Sequence, residues 1–207
     1  MDSASPFATH TLALQAVDVT FPLQGTVIPF EHSYALYGAL SALLPALHEA
    51  DWLGIHPIHG MRTESQLRIG HGTCLRLRLP PDKIRDVQPL VGRTLQIGAD
   101  RIAVGAPSTH MLRPHGTLHS YRVTIKNAMD DAQILRGLLA ELAALQIQAT
   151  LSVRRVRALQ IKDARIVCYR VIASDLSGES SLRLQIHGLG GRRRMGCGLF
   201  DVMKEPQ

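Results

Sequence analysis

Leu75-Arg76-Leu77-Arg78-Leu79 alternates without a break, and a helix cannot bury such a pattern on one side. In a pleated strand successive side chains point to opposite faces, so this segment presents leucine to one face and arginine to the other. Cys74 to Leu79 is therefore a half-buried strand, and the chain that contains it needs a sheet with one face in a core and a basic stripe on the other.

The surrounding sequence supplies the other elements of such a fold. Residues His10 to Phe21 alternate less strictly, through Leu12, Leu14, Val17, Val19 and Phe21, and predict a first strand ended by Pro22 and Gly25. A helix begins near His32, with Leu36, Leu40, Leu43 and Leu47 at helical spacing and Pro45 placed to kink or end it. Gln66 to Ile69 reads as a short strand, Pro81 to Val91 as a short helix, and Thr94 to Val104 as strand around a turn at Gly98-Ala99-Asp100. The order is β-α-β-β-α-β.

A similar order begins again at Tyr121 to Lys126. Asp130 and Asp131 cap a helix from Ala132 to Leu145, whose stripe is Ile134, Leu135, Leu138, Leu142 and Leu145. The strands Thr150 to Ile161 and Arg165 to Ala173 follow. Ser180 to Ile186 and Met195 to Val202 fit strand or short helix. The expected fold is α+β, with two tandem ferredoxin-like domains at 1–106 and 117–207 joined by a linker at 107–116.

The 207 residues suit one large domain or two compact ones, and 45% hydrophobic residues supply enough apolar material for real cores. The net charge of +6 favours a polyanionic partner, more through its distribution than its size. Arginines cluster at Arg76 and Arg78, at Arg154, Arg155 and Arg157, and at Arg192 to Arg194. Aromatic residues are only 4%, too few for a surface that stacks several bases on exposed rings, so recognition should be led by backbone and stem. Cys74, Cys168 and Cys197 stand far apart, which predicts neither a zinc site nor a disulfide framework and fits a reducing cytoplasm. With no signal-peptide pattern and no apolar run near the roughly 20 residues that span a bilayer, a soluble cytoplasmic protein is expected.

The run His187 to Phe200 combines five glycines with three consecutive arginines. It reads as a backbone-lined anion cradle, since glycine lets a phosphate approach main-chain N–H groups beside the guanidiniums, or as a turn with a solvated basic tip. His32 lies at the N-terminus of the first long helix, where the positive helix end favours neutral imidazole, a usable base, and also attracts phosphate. Tyr34 and Tyr37 share that helix; Tyr37 precedes Leu40 and Leu44 and is expected to face the core, which leaves Tyr34 as the hydroxyl candidate. His56 and His59 form an HxxH pair followed by His71, but Pro57 and Gly60 make the segment a loop and no carboxylate or cysteine completes a tetrahedral set. A phosphate contact or a second acid–base group suits His56 better than a metal.

Gly188, Gly190 and Gly191, the arginines, and Gly196-Cys197-Gly198 before Leu199 and Phe200 resemble the C-terminal glycine-rich loop of the RAMP superfamily of CRISPR-associated proteins. Within it the match is to the branch that cleaves repeats in CRISPR precursor RNA. Phe30 to Ser41, and Gly54 to Gly60 after it, are similar to the first helix and following segment of the small type I variants called the Myxan subtype. The resemblance implies a metal-independent endoribonuclease without cofactor. In such enzymes the 2′-hydroxyl attacks the adjacent phosphate, leaving 2′,3′-cyclic phosphate and 5′-hydroxyl ends. It implies catalytic roles for His32, Tyr34 and His56, and RNA contacts from Gly188, Gly190, Gly191, Arg192, Arg193, Arg194, Gly196 and Gly198 together with Arg154, Arg155 and Arg157. Its implied partners are the repeat stem-loop, mature crRNA and other subunits of a type I effector complex. A non-catalytic RAMP subunit that coats a guide RNA, and a metabolic ferredoxin-like protein that binds a small anion, remain as alternatives.

Overall fold

The computed structural model describes residues 6–126, 130–161 and 164–203, without the side chains of residues 6–8, 10 and 157. Its first half runs α1 (Pro6–Ala13), β1 (Val17–Gln24), β2 (Val27–Pro29), α2 (Ser33–Leu43), β3 (Gly54–Ile55), β4 (Met61–Arg62), β5 (Gln66–Arg68) and β6 (Cys74–Leu79). It continues with α3 (Ile84–Val87), β7 (Thr94–Ile97), β8 (Asp100–Val104) and β9 (Ser108–Met111). The second half comprises β10 (Leu118–Val123), α4 (Asp131–Ala144), β11 (Thr150–Ile161), β12 (Ala164–Ser174) and α5 (Gly178–His187).

Strand β6 follows the alternation of its sequence. Leu75, Leu77 and Leu79 are buried against Val17, Val19 and Phe21 of the antiparallel β1, and α2 covers this face with Leu36 and Leu40. The sheet order is β3-β6-β1-β8-β7. With the β7–β8 hairpin counted as the fourth strand, it is the ferredoxin-like arrangement. The second half repeats it: the sheet runs β11-β12-β10, and Asp201 bridges His119 on the free side of β10. There α4 and α5 cover the apolar face through Ile134, Leu138, Leu142 and Leu184.

Local signals account for the helix ends. Proline at 45 stops α2 at Leu43, and Pro45–Leu47 make one 3₁₀ turn instead. Asp130 caps α4 by accepting from the Gln133 N–H at 2.7 Å, and Ser177 caps α5 by accepting from Ser180 N–H at 3.1 Å. The residues 180–186, which fitted either element, are helix.

Two expectations change. The strand expected over His10 to Phe21 is helix α1 up to Ala13 and strand only from Val17. The stretch 107–116, expected as a linker, contains β9, whose four residues pair with Val17 to Thr20. Its side chains are exposed, so no hydrophobic alternation announces it; the backbone ladder along the open half of β1 makes it a strand.

Arginines of the polar sheet face join the halves. The Arg78 guanidinium is buried, donates to both Asp18 carboxylate oxygens at 2.8 and 2.9 Å, and reaches the carbonyls of Phe200 at 2.7 Å and Gln185 at 3.1 Å. Arg76 pairs with Asp201, and Arg122 holds Glu31 through two contacts of 2.8 Å. The stripe that looked available to an outside polyanion is spent partly on the second half of the same chain.

Candidate active site and nucleic-acid interface

His32 sits just before α2, where its ring is buried and fully used. Its Nδ1 lies 3.0 Å from the Phe30 carbonyl and 3.1 Å from that of Pro29, so this nitrogen carries the proton and donates. Its Nε2 accepts the Ile58 N–H at 2.9 Å. Burial holds its pKa below the ordinary histidine value and keeps the ring neutral. This corrects the expected catalytic role, because a base needs an unoccupied lone pair that substrate can reach. The ring instead ties the start of α2 to the Ile58 loop. Tyr34, two residues further along, is half-buried on α2.

A histidine that meets the requirement stands beyond the other end of the helix. His48 closes the 3₁₀ turn after Pro45 and is exposed. Tyr37 packs against its ring, with centroids 5.5 Å apart and planes at 24°. The Tyr37 hydroxyl lies 2.8 Å from the His48 carbonyl and 3.1 Å from its Nδ1. A phenol has one hydrogen; with that hydrogen donated to the carbonyl, its oxygen accepts from Nδ1–H, which leaves the lone pair on Nε2. Arg194 completes the group, donating to the His48 carbonyl with its guanidinium 5.6 Å from the Tyr37 ring centre. Sequence reading missed His48. Pro45 ends the helix between them, so the eleven residues that separate Tyr37 from His48 do not lie along one helix face, and Tyr37, though buried as expected, gives its hydroxyl to His48.

The glycine run is a folded clamp and not an open cradle. Gly188 N–H bonds the Leu184 carbonyl, Gly191 that of Thr124, Gly198 that of Arg122 and Gly196 that of Arg193, while Gly190 N–H donates to the Glu141 carboxylate. These donors are consumed inside the protein, which corrects the expectation that they receive phosphate. Glycine is required here for approach: a Cβ on Gly188 would stand 2.1 Å from the Gly198 carbonyl oxygen, and one on Gly190 2.3 Å from that of Thr124, both at positive φ. Cys197 is anchored beside Cys168 in a small apolar cluster with Leu159, both cysteines being free thiols. The clamp thereby displays its arginines in three directions. Arg192 is exposed, Arg194 lies on His48, and the half-buried Arg193 donates to the His187 carbonyl.

A cleft of about 660 Å³ opens between the polar faces of the two sheets, bordered by His56, His59, Arg76, His119, Tyr121 and Asp201. His56 is buried in it, accepts from Arg76 at 2.9 Å through Nδ1, and lies 3.9 Å from Asp18 through Nε2. Burial and then the charges of Arg76 and Arg78 push its pKa well down. His56 is thus fixed within the ion-pair network that joins the halves. Arg154 and Arg155 are exposed on the edge strand β11; as neighbours on a strand they face opposite ways, Arg154 beside Arg170 and Arg155 beside Tyr169. The side chain of Arg157 lies outside the described residues. Among the described residues no helix is long and apolar enough to cross a membrane.

The family model described as Cas6 Crispr matches residues 17–205. A CRISPR-associated endonuclease Cas6 of Myxococcus xanthus strain DK1622 is 44% identical over 185 residues, covering 89% of this chain and 80% of that protein. Among solved structures, a CRISPR associated protein Cas6 superposes with a TM-score of 0.64 at 14% identity, covering 92% of this chain and all of the other. A Cas6-related protein from Pyrococcus furiosus gives 0.61 at 15% identity, and Thermus thermophilus Cse3, bound to an RNA representing a pre-cleavage complex, gives 0.54 at 14%; each again covers 92% of this chain and all of the other. The duplicated ferredoxin-like fold is common to these structures, and the match across nearly the whole sequence shows that the chain belongs to the Cas6 family of CRISPR-associated proteins.

Proposed function

We propose that this protein is a metal-independent endoribonuclease that cuts CRISPR repeat RNA within the precursor transcript, with His48 as its base. The observation that carries the assignment is the Tyr37–His48–Arg194 group: an exposed imidazole whose Nδ1 is held by a phenol, next to an arginine of the glycine clamp. His48 Nε2 takes the proton of the 2′-hydroxyl, and the oxygen attacks the adjacent phosphorus. Arg194 lies beside the charge that grows on the non-bridging oxygens. The P–O5′ bond breaks, the 5′-oxygen takes a proton from water at this exposed site, and the products carry 2′,3′-cyclic phosphate and 5′-hydroxyl ends.

Arg192, Arg154 and Arg155 are the exposed cations that hold the RNA backbone, and a repeat stem suits them because A-form RNA is read through phosphates and shape. The relative from Myxococcus, named as an endonuclease, and the solved relative bound to RNA support this reading. The test is cleavage of the cognate repeat in EDTA by the intact protein, with mapping of the ends. Products with 2′,3′-cyclic phosphate that disappear in His48→Ala while binding persists bear the proposal out. Ends with 3′-hydroxyl and 5′-phosphate, or unchanged cutting by His48→Ala, overturn it.

A further inference from the structure

A pocket of about 340 Å³ lies between the end of β6, the end of α5 and the glycine clamp, and the reaction proposed above leaves it unused. Its walls include Gln15, Asp51, Trp52, Pro80, His187 and Arg193. Chain continuity places it beside the histidine on two sides. Asp51 and Trp52 follow His48 by three and four residues, and Arg193 precedes Arg194, which bonds the His48 carbonyl.

The chemistry of the walls is mixed in a way that fits one flat, polar guest. Trp52 is the only tryptophan of the chain; it packs partly against the first core, lines the pocket, and has the Lys83 ammonium 5.8 Å from its ring centre. Asp51 is exposed and offers a carboxylate. Arg193 spends one terminal nitrogen on the His187 carbonyl, and its Nε is buried without a hydrogen-bond partner among the described residues. A buried guanidinium donor left unused is a cost that a ligand acceptor would relieve.

Building on the proposed cleavage, we infer that this pocket receives one unpaired nucleobase next to the scissile phosphate, stacked on Trp52, and that its polar groups favour guanine. A carboxylate accepts from guanine N1–H and the N2 amine, and a guanidinium donates to O6 or N7. No other base presents two adjacent N–H donors to a carboxylate together with the O6 and N7 acceptors, so uracil, adenine and cytosine would each make a smaller part of the set.

Because Trp52 is the sole tryptophan, its fluorescence reports the pocket directly. The probe is repeat RNA made uncleavable by a 2′-deoxy nucleotide at the mapped cut site, carrying an abasic residue at each unpaired position in turn. The expected result is quenching on binding that vanishes when one base flanking the cut is removed, with affinity about 5- to 100-fold weaker. Guanine-to-adenine exchange there, or Asp51→Asn, weakens binding in part, and Trp52→Phe retains more affinity than Trp52→Ala. Quenching and affinity that are indifferent to every abasic position overturn the inference. Cleavage of unmodified repeat is followed in parallel: RNA that binds and quenches through one base but is never cut sinks the proposed reaction and leaves the base pocket standing.

Discussion

The two ends of α2 each carry a histidine, and the two rings have opposite fates. At the N-terminal end His32 is buried, with Nδ1 on backbone carbonyls and Nε2 on the Ile58 N–H. Past the C-terminal end His48 is exposed, and only its Nδ1 is engaged by Tyr37. One ring has both nitrogens committed to holding the chain together; the other has one committed to orientation and one left for substrate. Residue type and proximity to a helix end do not separate these cases. The count of nitrogens already occupied does.

The sharpest way to break this contrast is His48→Ala. Cleavage of the repeat should fall about 10²- to 10⁴-fold, read as single-turnover rate, with RNA affinity nearly unchanged. His32→Ala in the folded fraction should keep most of the rate, so a comparable loss there would erase the distinction between the two ends.

The next effect tests whether the arginine stripe serves structure. Removing Arg78 by Arg78→Met takes both hydrogen bonds from the Asp18 carboxylate, which still has the Arg76 guanidinium at 3.6 Å, and strands two carbonyls; it should cost about 3–5 kcal/mol in denaturant-unfolding stability. His32→Gln should cost less, about 1–3 kcal/mol, since the replacement cannot satisfy both backbone partners in the same geometry.

The same end of the helix should show in the pH dependence of stability. His32 and His56 have folded pKa values depressed from the ordinary value of 6.5, chiefly by burial, so they stay neutral in the fold and take up protons on unfolding. Below about pH 6.5 the unfolded chain binds more protons, so stability falls as pH drops and levels off above that point. The slope is at most about 1.4 kcal/mol per pH unit for each ring. Thermal midpoints between pH 5 and 8 check it, and a flat profile would contradict the buried neutral state of both rings. Smallest is Tyr37→Phe, which deletes the hydroxyl that orients His48 and should slow cleavage about 2- to 12-fold.

Much of the architecture was legible because it is written in short-range patterns. Cys74 to Leu79 is a strand with the bounds its alternation predicts, Thr150 to Ile161 is a strand over the residues expected, and the Asp130 cap and the break at Pro45 are local chemistry. The duplicated ferredoxin-like order follows from those elements, as does the glycine run that carries the resemblance to RNA-cleaving CRISPR proteins. Strand β9 was not legible, because its exposed residues carry no hydrophobic period and only the unpaired edge of β1 defines it.

The site divides the same way. Sequence alone determined that this chain makes two half-buried sheets, that arginines line their polar faces, and that glycines crowd one C-terminal turn. Tertiary structure decided what each group is free to do. It buried Arg78 against Asp18, consumed the glycine N–H groups within the clamp, closed both nitrogens of His32, and brought Arg194 onto His48 across 146 residues of chain. The physical reason is that a side chain's chemistry depends on which of its donors, acceptors and charges remain unpaired after folding, and that inventory is settled by contacts between residues far apart in sequence.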